Sequence, residues 1–439
     1  MKKIVIALAT MLLFGLFAFG FTACQKTETT DSEVKPIEFT YTYDADGEYY
    51  VLTGVTLSEQ AQTLATKKDY AELAKLFSTA DETTGYVPYA ANLTAETVRE
   101  LTIPTEYKEA KVKEIASEAI VNQTFIKKLV VPDTIEKING GAFAGLTSLE
   151  EIVLPFVGEK IGAFNEKKSF GYIFGSTSAT GLTAITQTYN EGTSSTSTFQ
   201  IPETLTKVTI TGDNVENFVE KKYDITDDGK YVLNDEGQYS LIADEGSYAL
   251  PAYAFYNCST ITSVTLTGTI PAIPDYAFYG CTNLKEYSFN DDTVKIGDYA
   301  FNGCSALKTV NFNKVDEIGA SAFIGCNSLG KDYLDAENDV VINATVVGAD
   351  AFHGCSGLKR VVFNKSVTIG KTAFHECSAL TEVVFEKSST IGDSAFAGCE
   401  NLEKAEIKDG SSVGKYAFYN TKIQQESEVE PEYDELEQE

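Results

Sequence analysis

Seven cysteines at regular spacing are the residues of this chain whose type and pattern could support chemistry. Each lies three residues after a Phe, as in the stretch IGDYAFNGCSALKTVNF at 296–312. A thiol can act as a nucleophile, form a disulfide or ligate a metal ion, so the role of these thiols separates an enzyme from a scaffold. The seven are Cys258, Cys281, Cys304, Cys326, Cys355, Cys377 and Cys399.

The cysteines belong to a repeat of 22 or 23 residues, with one longer step of 29. Each copy has an aliphatic residue five positions before an Ala-Phe pair's Phe, and alternating apolar residues nine and eleven positions after it. That alternation predicts a short strand with one buried face. A unit this small cannot bury its apolar residues alone, so neighbouring units must stack into a solenoid. The aligned column is Phe255, Phe278, Phe301, Phe323, Phe352, Phe374, Phe396 and Phe418.

Stacking argues against chemistry at the cysteines. Equivalent side chains on stacked coils point the same way about 4.8 Å apart, whereas a disulfide needs convergent Cβ atoms about 3.8 Å apart and zinc needs ligands around one point. Seven thiols also leave one unpaired, and the aligned position is Leu146 in one upstream copy and Thr421 in the last. We therefore predict that the cysteines pack in the core as small hydrophobes.

The pattern I-G-x-x-A-F-x-x-C-x-x-L, present at 296–307 and 391–402, resembles the leucine-rich repeats of BspA-type bacterial surface lipoproteins. The resemblance implies a right-handed repeat solenoid with one parallel β-sheet along one face, short strands, turns and few helices. It also implies surface display, adhesion and protein–protein contact, with no catalysis. The same register holds upstream at Ile138-Phe143-Leu149-Ile152-Leu154 and at Ile115-Ile120-Ile126-Leu129-Val131.

The N-terminus resembles a bacterial lipoprotein signal. Lys2 and Lys3 precede an apolar run, Ile4–Phe21, that ends at Ala23-Cys24 and a polar segment. In such signals the cysteine, here Cys24, takes a diacylglycerol before cleavage. The alternative is an uncleaved transmembrane anchor, because the run is nearly long enough to span a bilayer. Either alternative exports the chain and tethers it to the bacterial membrane.

Composition and periodicity divide the chain into segments. Alternation around Asp46-Gly47 predicts a hairpin at 37–54, and Ser58 precedes helical spacing within 57–80, so we expect a capped N-terminus. The predicted segments are 1–23, the lipoprotein signal peptide; 24–36, a flexible tether; 37–114, a cap with hairpin and helical insert; 115–155, leucine-rich repeats; 156–250, irregular repeats with long loop and hairpin insertions; 251–421, BspA-type leucine-rich repeats; and 422–439, an acidic disordered tail.

The sequence offers little support for other catalytic or metal-binding groups of residues. The two histidines, His353 and His375, each follow a repeat Phe, where other copies have Tyr, Asn, Ile or Ala. This favours a permissive surface position over a metal site or a pH-sensitive patch. His375-Glu376 begins an H-E-x-x-H pattern, but Ala379 replaces the second histidine. The sequence therefore predicts no enzyme, no catalytic residue, no metal site and no cofactor.

The formal charge of −29 disfavours nucleic acid and other polyanions as partners. We predict a membrane-anchored, surface-exposed scaffold for a protein or glycoprotein ligand on host or neighbouring cells. A structural cell-envelope protein without a specific ligand is the alternative, and an enzyme or inhibitor within 156–250 is a third. The candidate binding surface comprises Tyr253, Tyr256, Tyr276, Tyr279 and Tyr299, which could instead only cover coil edges, and the strand residues Thr265, Ser288, Asn290, Asn311 and Asn313.

Overall fold

A computed structural model describes residues 36–78, 93–190, 195–212, 249–288, 294–331 and 340–423, and the backbone strands at 219–223 and 241–246. The predicted signal peptide lies outside the described residues, as does most of the tether and of the acidic tail. None of the helices within the described ranges has the length and apolar character that crossing a bilayer requires.

The N-terminal cap extends the solenoid's own hydrogen bonding. Strands β1 (Ile37–Asp44) and β2 (Tyr49–Leu57) form the predicted antiparallel hairpin around Asp46-Gly47. β2 then pairs in parallel with β5 (Ala110–Ile115), which also pairs with β4 (Glu106–Tyr107) and β7 (Lys137–Ile138). The open end of the stack is therefore paired, which removes an edge that would otherwise bind another chain.

Two short helices cover the apolar end beside the hairpin. Helix α1 (Glu59–Thr66) begins after Ser58, whose Oγ accepts a hydrogen bond from the Ala61 N–H at 3.2 Å. Lys68, with a left-handed φ of 58°, ends α1, and α2 (Tyr70–Ser78) follows. The predicted helical insert is thus two helices, and the buried Phe77 ring of α2 lies 6.3 Å from that of Phe125.

One strand per coil forms a parallel ladder along the solenoid, and most of its strands bury one or more residues in the core. The ladder has two parts because residues 307–312, at the equivalent place in the coil between them, form no strand. The first part contains β3 (Glu100–Thr102), β6 (Lys128–Val130), β8 (Glu151–Leu154), β11 (Lys207–Ile210), β14 (Ser263–Leu266) and β16 (Glu286–Ser288). The second contains β19 (Val340–Ile342), β21 (Arg360–Phe363), β23 (Glu382–Phe385) and β25 (Lys404–Glu406).

A second parallel ladder, beyond the single sheet expected, runs through the Ile-Gly step of the repeat. Its strands have two residues each, and in most coils the glycine that follows lets successive coils come into close contact: a Cβ on Gly370 would lie 2.5 Å from the Ala349 nitrogen. The ladder contains β15 (Ala272–Ile273), β17 (Lys295–Ile296), β18 (Glu317–Ile318), β20 (Val346–Val347), β22 (Thr368–Ile369), β24 (Thr390–Ile391) and β26 (Ser412–Val413).

The core is a continuous stack of the repeat phenylalanines. Successive rings from Phe255 to Phe418 have centroids 4.9 to 5.4 Å apart and planes within 11° of parallel. Backbone hydrogen bonds follow the same column, since the Phe301 N–H donates to the Ala322 oxygen of the next coil at 2.8 Å. The predicted repeat-solenoid fold is confirmed.

The stack passes unbroken through the irregular region 156–250. β8 pairs directly with β11, and β11 with β14, so the extra residues are insertions into two coils. Two antiparallel pairs lie within these insertions: β9 (Leu182–Thr188) with β10 (Thr196–Pro202), and β12 (Val219–Tyr223) with β13 (Leu241–Gly246). Residues 191–194, 213–218, 224–240 and 247–248 of this region lie outside the described residues.

An aromatic string within this region, SFGYIFG at 169–175, packs into the core. Its residues Phe170–Phe174 form a short 3-10 helix. Two further 3-10 helices lie earlier in the chain, at Thr97–Arg99 and Asn165–Lys168. The Phe170 ring lies 4.7 Å from Phe255, and the Phe174 ring 6.4 Å from Phe143. Two aromatic residues therefore take the place of one Ala-Phe pair and join the upstream coils to the downstream ones.

Replacing Phe301 with Ala is expected to lower the free energy of unfolding by about 3–5 kcal/mol, because the ring is fully buried between Phe278 and Phe323. Urea denaturation followed by circular dichroism measures the change. The matched control is Asn302→Tyr, which installs the residue of the preceding coil and should change stability by no more than about 0.5 kcal/mol. Similar losses for both variants would contradict the stacked core.

Candidate functional site

The seven repeat cysteines are fully buried, and each is a free thiol. From Cys281 to Cys399, each Sγ donates a hydrogen bond to the Phe carbonyl oxygen of the preceding coil, at 3.0 to 3.2 Å. The same carbonyl accepts the N–H of its own coil's cysteine, as Phe301 does from Cys304 at 3.0 Å. The thiols thus fill a core column and bond one coil to the next, in agreement with a structural role.

Burial also removes the reactive form of these thiols. It raises the pKa of the Cys281 thiol to about 12, and it raises the pKa values of Cys258, Cys304, Cys326 and Cys355 well above their usual range. The thiolate is both the nucleophile and the metal ligand. These side chains therefore offer neither function at neutral pH.

Four half-buried tyrosines form a patch beside the phenylalanine turns of three consecutive coils. We call Tyr256, Tyr276, Tyr279 and Tyr299 the tyrosine patch. Tyr256 stacks on Tyr279 with centroids 4.7 Å apart and planes 7° from parallel, and Tyr276 stacks on Tyr299 at 4.8 Å and 8°. Tyr276 and Tyr279 join the two stacks at 5.9 Å. The rings form one continuous, partly exposed aromatic surface.

Tyr253 does not belong to this exposed surface, so its assignment as a candidate contact is wrong. Only 6% of the residue is accessible. Its ring stacks on Tyr276 at 4.7 Å, and the Lys168 Nζ lies 5.2 Å from its centroid. Lys168 comes from the insertion before the repeat block, and that insertion covers the end of the tyrosine column.

The backbone turn fixes where these rings lie. Tyr276 and Tyr299 both have a left-handed φ of 56°, a conformation that costs a residue with a Cβ roughly 1–2 kcal/mol. Later coils have the same φ sign at this position with Ser321, Asp350 and Thr372. The turn is therefore a property of the repeat, and tyrosine occupies this position in three consecutive coils and again in the last coil, as Tyr416.

The hairpin β9–β10 borders the tyrosine patch. The Gln187 side chain is buried; its Oε1 accepts the Gly171 N–H at 2.7 Å and its Nε2 donates to the Ala254 oxygen at 3.1 Å. Asn257 Nδ2 donates to the Thr186 oxygen at 3.3 Å. Burial at this junction raises the pKa of Tyr256. The insertion is thus docked on the coil stack next to the patch.

The other predicted contacts lie along the strand ladder. Thr265 and Ser288 are in register on β14 and β16, where Thr265 is half-buried and Ser288 exposed. Asn311 and Asn313 are exposed, and Asn311 Oδ1 accepts the Asn313 N–H at 3.0 Å. Asn290 lies outside the described residues. These positions belong to a different part of the coil from the tyrosine patch.

Upstream, the outer strand face carries alternating charges in register. Glu100, Lys128, Glu151 and Lys207 follow one another across four strands, and Lys128 Nζ lies 2.9 Å from Glu151 Oε1. They line a shallow pocket of about 380 Å³ together with neighbouring polar residues. Exposed ion pairs of this kind contribute at most about 1 kcal/mol each to folding stability, so we interpret this face as solvated surface.

Two clusters were not found from the sequence. In the cap, Tyr41 stacks on Tyr107 at 4.2 Å, and the exposed Tyr43 pairs across the hairpin with Tyr50; the tyrosine alternation in the hairpin was the available signal. The second cluster contains the two histidines, treated above as permissive positions. Their rings lie 4.9 Å apart beside Glu376, and burial together with the neighbouring imidazole lowers the pKa of His375.

This geometry defines a leucine-rich-repeat scaffold, a class that in general binds proteins without catalysis. The chain belongs to the family described as the BspA type leucine rich repeat region, whose model matches residues 113–214, 248–341 and 336–428 with six copies. These segments cover more than half of the chain. No protein with a curated description matches it.

Several solved structures of bacterial proteins show similarity to this chain. A leucine-rich repeat protein from Bacteroides ovatus is 18% identical over 87% of this chain and 91% of its own, with a TM-score of 0.32. One from T. pallidum is 22% identical over 45% and 89%, with a TM-score of 0.30. A leucine rich cell surface protein from Faecalibacterium prausnitzii is 18% identical over 88% and 96%, with a TM-score of 0.24.

In the folded chain at pH 8, all seven repeat thiols are expected to stay unmodified by a thiol reagent, because burial makes them inaccessible. After denaturation in guanidinium chloride all seven should react. Mass spectrometry of iodoacetamide-treated protein counts the modified sites. Rapid native modification of Cys304 or Cys326 would show that the thiol column is open to solvent.

Proposed function

We propose that this protein is a membrane-anchored, surface-exposed scaffold that binds a protein or glycoprotein of a host or neighbouring cell, without catalysis. The tyrosine patch is the observation that carries the proposal. Family membership supports the scaffold role, and the acidic composition, with a formal charge of −29, supports partners other than polyanions.

The physical properties of the patch suit macromolecular contact. Stacking already restrains the four rings, so a partner that covers them orders little that was free, and tyrosine offers large contact area at low entropy cost. Each of the four side chains is half-buried, which leaves part of its surface accessible to a partner. Contact residues of this type, at the centre of an interface, are enriched among those that dominate binding energy.

The competing explanation is that the rings only cover the edges of the coils, as in a structural envelope protein without a specific ligand. The two explanations differ in what a substitution changes. If the rings only cover edges, their removal alters stability and leaves any ligand affinity untouched. If they contact a partner, affinity falls while the fold persists.

A pull-down at moderate salt first identifies a ligand for this comparison. The candidates tested are extracellular-matrix proteins, mucins and bacterial envelope fractions. In the double variant Tyr276→Ser/Tyr279→Asn, each tyrosine is replaced by a residue that another coil has at the same repeat position, Ser321 and Asn302. The coil should therefore still fold. We expect its affinity for the captured ligand to fall at least about tenfold, a loss typical of interface tyrosines. Surface plasmon resonance measures the change.

The control Ser288→Ala/Asn311→Ala alters the strand ladder and should retain affinity within about twofold. A loss confined to this control would move the contact surface to the strands. Failure of every partner to survive moderate salt would favour the structural-envelope alternative.

The membrane anchor is assigned to Cys24. Its thioether-linked acyl chains would each contribute about 0.8 kcal/mol per buried CH₂, and two or more chains hold a protein stably. Cys24→Ala is therefore expected to abolish metabolic labelling with a fatty-acid analogue and to release the chain from the membrane fraction. Cys399→Ala, at a buried cysteine, should keep both. Unchanged labelling and retention in Cys24→Ala would contradict the lipoprotein assignment.

A further inference from the structure

The side chains of two histidines and one glutamate, from two neighbouring coils, lie close together just after the repeat phenylalanine of each coil. The rings of His353 and His375 lie 4.9 Å apart. One donor atom each from His353, His375 and Glu376 lies within 4.8 Å of the other two. Among the described residues this is the group of His, Cys, Asp and Glu side chains that comes close enough together to share a metal ion.

Glu376 lies at a position where the other coils have residues that tolerate a left-handed backbone. Its φ is 59°. The aligned residue is Asn257 or Asn420 at the two ends of the column and glycine in the other coils, namely Gly280, Gly303, Gly325, Gly354 and Gly398. A glutamate there costs roughly 1 kcal/mol relative to glycine. The repeat itself imposes this φ, so the glutamate departs from the residues that suit the position.

The side chains of the cluster face one another. His353 Nε2 lies 3.7 Å from Glu376 Oε2, and His375 Nδ1 lies 3.8 Å from Glu376 Oε1. The opposite nitrogen of His353, Nδ1, lies 3.5 Å from Asp350 Oδ1. A carboxylate behind an imidazole, with the other nitrogen directed at the shared point, is the arrangement that orients metal-binding histidines.

His375 Nδ1 is shielded from solvent and has no hydrogen-bond partner. A buried polar atom without a partner carries a desolvation cost of about 1–3 kcal/mol. Coordination of a cation would remove that cost, since the lone pair of a neutral imidazole nitrogen is what a transition metal binds.

We propose that His353, His375 and Glu376 bind a divalent transition-metal ion of the zinc class. Two imidazoles and a carboxylate form a donor set that suits zinc and leaves a fourth position for water or a partner's side chain. Ligands of tetrahedral zinc lie about 3.4 Å apart. The Glu376 side chain, 63% exposed, has the freedom to rotate and close the remaining distance. Hard cations such as Ca²⁺ and Mg²⁺ prefer oxygen ligands and are disfavoured.

The neighbouring coils supply variants that the fold already accommodates. Glu376→Gly restores the residue of most other coils, His375→Ala installs that of Ala397, and His353→Asn that of Asn302. Zinc chloride is titrated calorimetrically into the full chain in detergent, with excess Mg²⁺ to occupy exposed carboxylates. We expect one zinc ion per chain, with affinity at least about 10-fold lower in Glu376→Gly and about 100-fold lower in either histidine variant.

Two controls separate this site from other zinc-binding groups. Glu403→Gln, an exposed carboxylate of another coil, should leave affinity unchanged. Substituted Co²⁺ should show visible bands without the intense near-ultraviolet charge transfer of a thiolate ligand. Glu376→Gly should melt no lower than the parent without zinc, which distinguishes a lost ligand from a lost fold. Equal affinity in all variants, no zinc binding by the parent, or a thiolate band would each overturn the proposal.

Discussion

Each coil of this protein depends on its neighbour to bury the repeat phenylalanine. The ring of Phe301 is covered on both faces by rings of adjacent coils, about one strand spacing away. Its carbonyl accepts two hydrogen bonds, one from the Cys304 N–H and one from the Cys326 thiol of the next coil. A coil alone would expose both the ring and the carbonyl, so stability comes from contacts between coils.

This dependence explains the ends and the interruptions of the stack. The hairpin β1–β2 pairs with β5, and helix α2 places Phe77 against Phe125, so the first coil also has a neighbour. Within the irregular region, Phe170 and Phe174 continue the aromatic column although neither belongs to an Ala-Phe pair. Insertions are tolerated where they leave the ladder between β8, β11 and β14 intact.

A fixed stack leaves the turn positions free to vary, and these form straight columns of neighbouring side chains. Four coils, three of them consecutive, use tyrosine at the left-handed turn, and two further coils bring His353, His375 and Glu376 together. Because the backbone of each turn is the same, changing one residue per coil changes the chemistry of a surface without changing the fold. One scaffold can therefore carry binding surfaces and a metal site.

The sequence by itself determined the period, the buried positions and the structural nature of the cysteines, because apolar spacing within one coil is local information. It also located the cap hairpin through Asp46-Gly47. Only the tertiary structure decided that Lys168 covers Tyr253, that the aromatic string enters the core, and that a second ladder accompanies the first. The two histidines follow successive repeat phenylalanines in the sequence, but their closeness to each other and to Glu376 exists only between coils. Contacts across coils and docked insertions depend on three-dimensional register, which residue spacing along the chain does not encode.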